Sequence, residues 1–284
     1  MVIVAVVAVA ILLVMLVLQR FFWNVFSPRY DRRHRQKDDA VLFDEYCKKG
    51  LIHRFHAINR RLPTDPRCKL CYVPFGGLGK VCGVRPSRKN SNFCRGCFEA
   101  VPEGGHDREI GVLFADLRDF TAWSADHTPD EVASALADFY RLATTALMAH
   151  DAIIDKFVGD GVIALFLADM PTLGDRTGDE MLAAAVKLVE GADARAVPLG
   201  VGVGLHFGTA WVGNVGEGEM KDFTALGDVV NVASRLQGCA SAGQIVISED
   251  ALSRMQAPVG GTQTSFEVKG KNEPIATHVL TLTA

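Results

Sequence analysis

Two aspartates in this chain follow apolar segments at points where strands would end. Asp116 comes after the apolar run 112–114, and Asp160 lies between two apolar runs, flanked by Gly159 and Gly161. An Asp between glycines and strand-like runs predicts a β-hairpin with Asp160 at its tip. Carboxylate oxygens are hard ligands for Mg²⁺ or Mn²⁺ and leave coordination positions open for phosphate. Either segment taken alone is also typical of an ordinary turn aspartate.

A third segment makes the two aspartates more informative. Residues 222–237 read Asp-Phe-Thr-Ala-Leu-Gly-Asp-Val-Val-Asn-Val-Ala-Ser-Arg-Leu-Gln. Together with residues 113–121 and 153–166, they resemble the catalytic domain of the class III nucleotide cyclases. The resemblance covers about residues 107–283. It implies an enzyme in which the 3′-hydroxyl of a nucleoside triphosphate attacks its own α-phosphate and releases pyrophosphate.

The resemblance also implies roles for single residues. Asp116 and Asp160, 44 positions apart, match the family's aspartates that hold two Mg²⁺ or Mn²⁺ ions. Asn231 and Arg235 match the pair that orients the ribose and stabilises the transition state, and their i, i+4 spacing puts them on one helix face. The main chain that enters the helix after Asp116 is a candidate phosphate nest. Its residues are Leu117, Arg118, Asp119, Phe120 and Thr121.

Two further positions are similar to the purine-reading residues of adenylate-type members, namely Lys156 and Thr224. A lysine ammonium can donate to N1 of adenine, and a threonine hydroxyl can accept from its 6-amino group, whereas guanine presents the opposite pattern. These residues therefore predict ATP as the substrate rather than GTP. The resemblance also implies a triphosphate-binding lysine near the C-terminus, and Lys269 and Lys271 both remain candidates.

The resemblance implies a homodimer. In the family, the metal-binding residues come from one subunit and the purine and transition-state residues from its partner, and this chain carries both sets. A heterodimer with a related cyclase chain is the alternative to the homodimer. An enzyme of this kind would act in intracellular signal transduction. A non-catalytic sensor is a competing function. Such a domain, however, has no need to keep all six of the matched residues, which are Asp116, Lys156, Asp160, Thr224, Asn231 and Arg235. A diguanylate cyclase would carry a Gly-Gly-Asp/Glu-Glu-Phe turn where residues 158–161 read Val-Gly-Asp-Gly.

Four cysteines form two CxxC pairs ahead of the predicted catalytic domain. Cys68 and Cys71 are separated from Cys94 and Cys97 by 22 residues, with Cys82 between the pairs. Four thiolates in this arrangement predict one metal site, which holds either structural Zn²⁺ or an iron–sulfur cluster. The alternatives without a metal are reduced thiols or a redox pair.

The first residues have the features of a membrane anchor. Residues 2–18 are uninterrupted apolar residues, followed by a basic stretch between Arg29 and Lys37. A helix of that length spans roughly 26 Å, about the thickness of a bilayer core. The positive-inside rule then predicts a single-pass protein of the plasma (inner) membrane with its catalytic domain in the cytosol. A cleaved signal peptide is the weaker alternative, because no positive charge precedes the apolar run.

The composition fits a folded domain that follows a basic segment. The chain has 284 residues, of which 49% are hydrophobic. From Arg20 to His106 there are 18 Lys and Arg against 8 Asp and Glu, and from Asp107 onward there are 12 against 25. The acidic second part argues against nucleic acid as a partner.

The order of motifs predicts four domains. They are a transmembrane anchor (1–26), a basic juxtamembrane and helical linker (27–62), a cysteine-rich metal-binding module (63–106) and a catalytic domain (107–284). In the last of these, strand-like runs alternate with helical ones, and a hairpin is expected at 152–167. A helix is expected at 129–149, after the capping residue Thr128. This alternation predicts an α/β (α+β) sandwich of the ferredoxin-like βαββαβ type.

Overall fold

The computed structural model describes most of the chain after residue 65. The described ranges are 58–59, 61–62, 66–88, 90–100, 104–170, 172–192, 198–216, 221–271 and 273–282. The chain divides into two compact units, Met1–Gly104 and Gly105–Ala284. The predicted boundary between residues 106 and 107 lies close to this division, and the four predicted domains remain a prediction.

The described residues of the second unit alternate strands with helices. The strands are β1 (Gly104–Leu117), β2 (Ile153–Val158), β3 (Gly161–Leu167), β4 (Val201–Val215), β5 (Asp222–Leu226), β6 (Gln244–Ser248), β7 (Thr262–Phe266) and β8 (Ile275–Thr281). The helices, counted from two short ones in the first unit, are α1 (Gly77–Val81), α2 (Arg95–Ala100), α3 (Phe120–Ala125), α4 (Pro129–Ala149), α5 (Thr177–Gly191), α6 (Asp228–Cys239) and α7 (Glu249–Leu252). A 3₁₀ turn at Gly174–Arg176 precedes α5.

The eight described strands form one sheet. Its order is β2-β3-β1-β4-β6-β8-β7, and β5 pairs with β4. Strand β3 is antiparallel to both β1 and β2, and β4 is parallel to β6. The order β2-β3-β1-β4, with α4 after β1 and α5 after β3, is that of a ferredoxin-like βαββαβ unit. The predicted mixed α/β fold is therefore confirmed.

Helix α4 begins and ends where the sequence predicts. The Thr128 hydroxyl accepts the Glu131 N–H at 3.4 Å, and the Glu131 carboxylate accepts the Thr128 N–H at 2.8 Å. This capping box satisfies two donors at the start of the helix, and Pro129 already has a helical φ angle. The helix buries one apolar stripe, which includes Ala135, Phe139, Ala143, Ala146 and Leu147.

Helix α6 packs closely on β4 because the strand presents glycine to it. A Cβ atom at Gly204 would lie 2.2 Å from the Gln237 main-chain nitrogen and 2.6 Å from the Ala233 carbonyl oxygen. Real Cβ contacts are not this short, so a side chain at this position would push the helix away. The buried residues Val232 and Leu236 then join a core cluster with Val246 and Val268.

The predicted membrane anchor needs a correction. Residues 2–18 and the basic stretch after them lie outside the described residues. In the part of the chain that the structure describes, no helix is long and apolar enough to cross a membrane. The prediction of a single-pass membrane protein is contradicted by this finding and is not carried further.

Candidate active site and cysteine cluster

The two predicted metal-binding aspartates lie side by side. Asp116 is the next-to-last residue of β1 and faces Gly161 of β3 across the sheet. Asp160 occupies the turn that joins β2 to β3, and its carbonyl oxygen accepts the Leu117 N–H at 3.2 Å. Antiparallel pairing of β1 with β3 therefore places the two carboxylates on adjacent strand ends. These are hard oxygen donors of the kind that Mg²⁺ and Mn²⁺ prefer.

An aromatic pair holds the hairpin tip in place. Gly159 has a φ of +59°, a left-handed conformation that glycine adopts without strain. Its carbonyl oxygen accepts the Tyr140 hydroxyl at 2.6 Å. The Tyr140 ring stacks on Phe157 with 4.1 Å between centroids. Helix α4 therefore fixes the turn that carries Asp160.

Arg118 connects Asp116, one of the two predicted metal ligands, to the residue that follows α6. Its guanidinium forms an ion pair with Asp116 and donates to the Ala240 carbonyl oxygen at 3.1 Å. Its side chain passes over Gly202, where a Cβ would lie 3.0 Å from Arg118 Nε. Burial lowers the pKa of Arg118, and the negative charges of Asp160 and Asp119 oppose that shift. The guanidinium is thus a structural cation beside the two carboxylates.

The predicted phosphate nest is partly used by the fold itself. The Leu117 N–H donates to Asp160, and the Arg118 N–H donates to the Gly200 carbonyl oxygen at 2.8 Å. Asp119 has a φ of +60° and stands before α3, without a side-chain cap in the described residues. Phosphate binding by the main chain from Asp119 to Thr121, through Phe120, remains a prediction, whereas the first two N–H groups already have partners.

The two predicted purine-reading residues meet around a third residue, Asp155. The Thr224 hydroxyl on β5 donates to Asp155 Oδ2 at 3.0 Å. The Lys156 ammonium on β2 lies 3.8 Å from the same oxygen and 3.4 Å from Asp222 Oδ2. The structure therefore brings Lys156 and Thr224 together, although they are far apart in the sequence.

Asp155 is a buried carboxyl group with a perturbed acidity. Its side chain is 4% exposed. Burial raises the pKa of Asp155 to about 6, and Asp222 adds to the rise. Lys156 and the hydrogen bond from Thr224 act in the opposite direction. Ionisation of this carboxyl therefore falls close to neutral pH, unlike that of an exposed aspartate.

The predicted transition-state pair lies on α6. Asn231 is exposed and Arg235 is half-buried, one turn further along the helix. The Arg235 guanidinium reaches the turn after β7, where a Cβ at Gly270 would lie 3.5 Å from one of its nitrogens. Glycine at this turn leaves space beside the guanidinium.

The two candidate lysines for the triphosphate differ in their surroundings. Lys271 forms an ion pair with Asp228 at 2.5 Å, at the start of α6. Lys269 is exposed, and among the described residues it has no ion-pair partner within 4.0 Å. A phosphate group would have to displace Asp228 to bind Lys271, whereas Lys269 is accessible. This difference favours Lys269.

The sequence reasoning missed three residues of this site. Asp155 and Asp222 lie within the blocks 153–166 and 222–237, but sequence reasoning assigned them no role, and Tyr140 lies outside the blocks. Each of the three contacts a predicted residue or its turn. An acidic residue within the apolar run of β2 was the one available signal for Asp155, because a charged side chain inside a strand is rarely buried without a partner.

The two CxxC pairs converge in the first unit. The sulfur atoms of Cys68, Cys71, Cys94 and Cys97 all lie within 4.8 Å of one another, and Cys71 and Cys94 are 3.9 Å apart. The Cys94 N–H donates to Cys68 Sγ at 3.2 Å, and the Cys97 N–H donates to Cys94 Sγ at 3.4 Å. Main-chain donors aimed at sulfur stabilise thiolates. The predicted four-cysteine cluster is therefore formed in the structure.

Hydrogen bonds among the four thiols shift their pKa values in opposite directions. Burial opposes ionisation of Cys68, but hydrogen bonds from the other three thiols outweigh it and hold the pKa of Cys68 well below its usual value. Hydrogen bonds to Cys68, Cys71 and Cys94 raise the pKa of Cys97 well above its usual value. Four sulfurs this close cannot all be charged unless a cation is present. The arrangement therefore fits a bound metal ion.

Comparison with known proteins identifies the second unit. The family described as Adenylate and Guanylate cyclase catalytic domain matches residues 104–281, which is more than half of the chain. The chain belongs to this cyclase family. The resemblance of the three sequence blocks to the class III nucleotide cyclases is thereby confirmed.

Two relatives of this chain carry the name adenylate cyclase. The chain is 37% identical over 139 residues to Adenylate cyclase 1 of Rhizobium meliloti (strain 1021), covering 46% of this chain and 21% of that protein. It is 31% identical over 202 residues to Adenylate cyclase of Anabaena cylindrica, covering 62% of this chain and 39% of that protein. The chain thus spans well under half the length of these relatives.

Solved structures of both substrate types resemble the cyclase domain. The adenylyl cyclase CyaB from P. aeruginosa is 25% identical with a TM-score of 0.58, and the match covers 62% of this chain and 96% of that one. The guanylyl cyclase Cya2 is 28% identical with a TM-score of 0.56, and the match covers 62% and 93%. Overall similarity therefore does not distinguish an adenine nucleotide from a guanine nucleotide, and the base preference has to be argued from individual residues.

Proposed function

We propose that the cyclase domain converts ATP to 3′,5′-cyclic AMP and pyrophosphate, the reaction of an adenylate cyclase. The observation that carries this proposal is the adjacency of Asp116 and Asp160, because the β1–β3 pairing and the hairpin turn place the two residues at adjacent strand ends. A domain that had lost catalysis would have no need for a two-carboxylate site that is supported by Tyr140 and Arg118.

Two residues support ATP as the substrate. Lys156 and Thr224 both lie within 4 Å of Asp155 Oδ2, where an ammonium donor and a hydroxyl acceptor can face the N1 and 6-amino groups of adenine. The names of the two curated relatives agree with this choice. Since a guanylyl cyclase has a similar fold, the base preference rests on this residue pair.

The reaction forms a bond between the 3′-oxygen and the α-phosphorus and breaks the bond from that phosphorus to the oxygen that leaves with pyrophosphate. Asp116 and Asp160 would hold two Mg²⁺ or Mn²⁺ ions, which when bound lower the pKa of the 3′-hydroxyl and neutralise phosphate charge. Asn231 orients the ribose, and Arg235 stabilises the charge that develops on the transferring phosphoryl group. Lys269 binds the triphosphate.

We propose that two copies of the chain share each site, with metal-binding residues from one copy and purine and transition-state residues from the other. The family resemblance supports this arrangement. Two inactive variants test it. Asp160→Ala removes a metal ligand, and Arg235→Ala removes the transition-state cation, so each protein alone should be inactive. After mixing and subunit exchange, about half of the dimers are mixed and contain one complete site, and about a quarter of wild-type activity should return.

The assay uses the full chain with Mn²⁺ and either ATP or GTP, and it measures cyclic nucleotide formation. Cyclic AMP made by the wild type and not by Asp160→Ala is the expected result. No product from either nucleotide, from a folded dimer, would favour a non-catalytic sensor instead. Activity in the wild type without recovery in the mixture would instead leave the enzyme in place and contradict the shared site.

We also propose that the four-cysteine cluster binds one Zn²⁺ ion. Four sulfurs bound tetrahedrally at about 2.3 Å from one zinc lie about 3.8 Å apart, close to the 3.9 Å between Cys71 and Cys94. An iron–sulfur cluster with four cysteine ligands encloses several iron and sulfide ions and requires a wider spacing. The observed spacing therefore favours a single ion.

Metal analysis of the purified full chain tests the cluster. The wild type should contain about one zinc per chain, and the double variant Cys68→Ser, Cys71→Ser should contain none. Cys82→Ser is the matched control, because Cys82 lies outside the four-sulfur group and its loss should leave the zinc content unchanged. Iron together with acid-labile sulfide, or no metal in protein prepared without chelator, would overturn the proposal.

A further inference from the structure

Asp155 occupies a β-bulge in the strand that carries Lys156. Ile154 pairs with Ala164 of β3 and Lys156 pairs with Ile163, so two steps along β2 correspond to one step along β3. Asp155 is the extra residue between them. A bulge re-aims side chains relative to the regular alternation of a strand. Here the Asp155 side chain is buried and its Oδ2 meets the Thr224 hydroxyl.

The hydrogen bond between these residues has a defined direction. An ionised carboxylate only accepts hydrogen bonds, so the Thr224 hydroxyl must donate its single proton to Asp155. The remaining hydrogen-bonding capacity of Thr224 is then its two lone pairs. A hydroxyl held in this way accepts from an amino group and has no proton to offer to a carbonyl oxygen.

We propose that Asp155 is a positioning residue for purine selection, which fixes the Thr224 hydroxyl as an acceptor so that it pairs with the 6-amino group of adenine and not with the 6-oxygen of guanine. This inference rests on the proposed function. Asp155 acts through Thr224 and makes no contact with the base. Selectivity would then reside in three residues, two that meet the purine and one buried carboxylate behind them.

The ionisation of Asp155 makes the mechanism sensitive to pH. The charged groups that act on it from the described residues are Lys156 beside it on β2 and Asp222 on β5, and Thr224 donates a hydrogen bond to it. Above a pH of about 6 the carboxylate accepts from Thr224. Below that pH the carboxylic acid can donate to Thr224 and free the hydroxyl proton for the guanine 6-oxygen. ATP preference should therefore fall as the pH drops through about 6.

The test compares kcat/KM for ATP and GTP in the full chain. Asp155→Val removes the acceptor and should lower the ATP-to-GTP ratio about five- to tenfold at pH 7.5, the equivalent of one hydrogen bond. Asp155→Asn is the matched control. Its amide oxygen can still accept from Thr224, so the ratio should stay within about twofold of wild type at pH 7.5. The loss of ATP preference near pH 6 should disappear, because an amide does not titrate.

A double variant separates positioning from a general structural effect. Thr224→Val should itself lower the ATP-to-GTP ratio, and adding Asp155→Val should change the ratio no further, because Asp155 acts through the hydroxyl. Additive effects in the double variant, or a pH step that persists in Asp155→Asn, would refute the inference. Should Asp155→Val fail to fold, the pH profiles of wild type and Asp155→Asn still decide it. A wild type that forms no cyclic nucleotide contradicts the proposed function, whereas an ATP-selective wild type with unchanged variants contradicts the inference alone.

Discussion

Replacing Tyr140 with phenylalanine tests whether helix α4 supports the active-site hairpin. The hydroxyl of Tyr140 donates to the Gly159 carbonyl oxygen at 2.6 Å, next to Asp160 in the sequence. Its ring stacks on Phe157 at 4.1 Å. Tyr140→Phe removes the hydroxyl and keeps the ring, so the stacking survives and one hydrogen bond is lost.

Both expected losses are small in free energy, but the loss of activity is a measurable change in rate. A neutral hydrogen bond contributes about 0.5–1.5 kcal/mol to folding. Gly159 is exposed, so water can replace the lost donor and the free energy of unfolding should fall by about 0.5–1 kcal/mol. Activity depends on where the neighbouring Asp160 carboxylate lies. If displacement of this carboxylate raises the free energy of activation by about 1 kcal/mol, kcat falls about fivefold.

Urea denaturation and steady-state kinetics with ATP measure the two effects in the full chain. Arg141→Ala is the matched control, because Arg141 is the next residue on α4, its side chain is 73% exposed and it pairs with Asp138 at the helix surface. The control should keep both stability and kcat. The reasoning is refuted if Tyr140→Phe matches this control in kcat, or if KM for ATP changes while kcat does not.

Two further predictions concern packing and phosphate binding. Gly204→Ala should lower the free energy of unfolding by about 2 kcal/mol or more, because the new methyl group meets main-chain atoms of α6. Gly238 lies on α6 itself, and a methyl group added there meets open space. Gly238→Ala should therefore raise the free energy of unfolding by about 0.5–1 kcal/mol in the same denaturation assay. Lys269→Ala should raise KM for ATP about five- to tenfold and Lys271→Ala by less, since Lys271 is paired with Asp228. Equal effects of the two lysine variants would contradict the assignment to Lys269.

The sequence determined the elements that carry the site, because their signals are local. Thr128 and Pro129 mark the start of α4 through capping chemistry that needs no distant partner. The Gly-Asp-Gly turn predicted a hairpin with Asp160 at its tip, and Asp160 lies in the turn between β2 and β3. The i, i+4 spacing of Asn231 and Arg235 requires a helix for a shared face, and α6 provides it.

Tertiary structure decided everything that depends on contacts between distant segments. The bulge at Asp155 depends on how β2 pairs with β3, and its hydrogen bond joins residues 69 positions apart. Neither follows from the alternation of apolar residues along β2. The pKa of Asp155 is raised because burial removes water from its carboxyl group, and this burial arises when the sheet is assembled.

Two further differences separate prediction from structure. Hydropathy of residues 2–18 predicted a single-pass membrane protein, which the described residues do not support. The sequence of the predicted phosphate nest, residues 117–121, could not show that two of its N–H groups already donate to the carbonyl oxygens of Asp160 and Gly200. Residue types and spacing determined the chemistry that this chain can perform. The sheet register and the packing of helices on it decided which groups are buried, paired or free, because these properties depend on atoms brought together by folding.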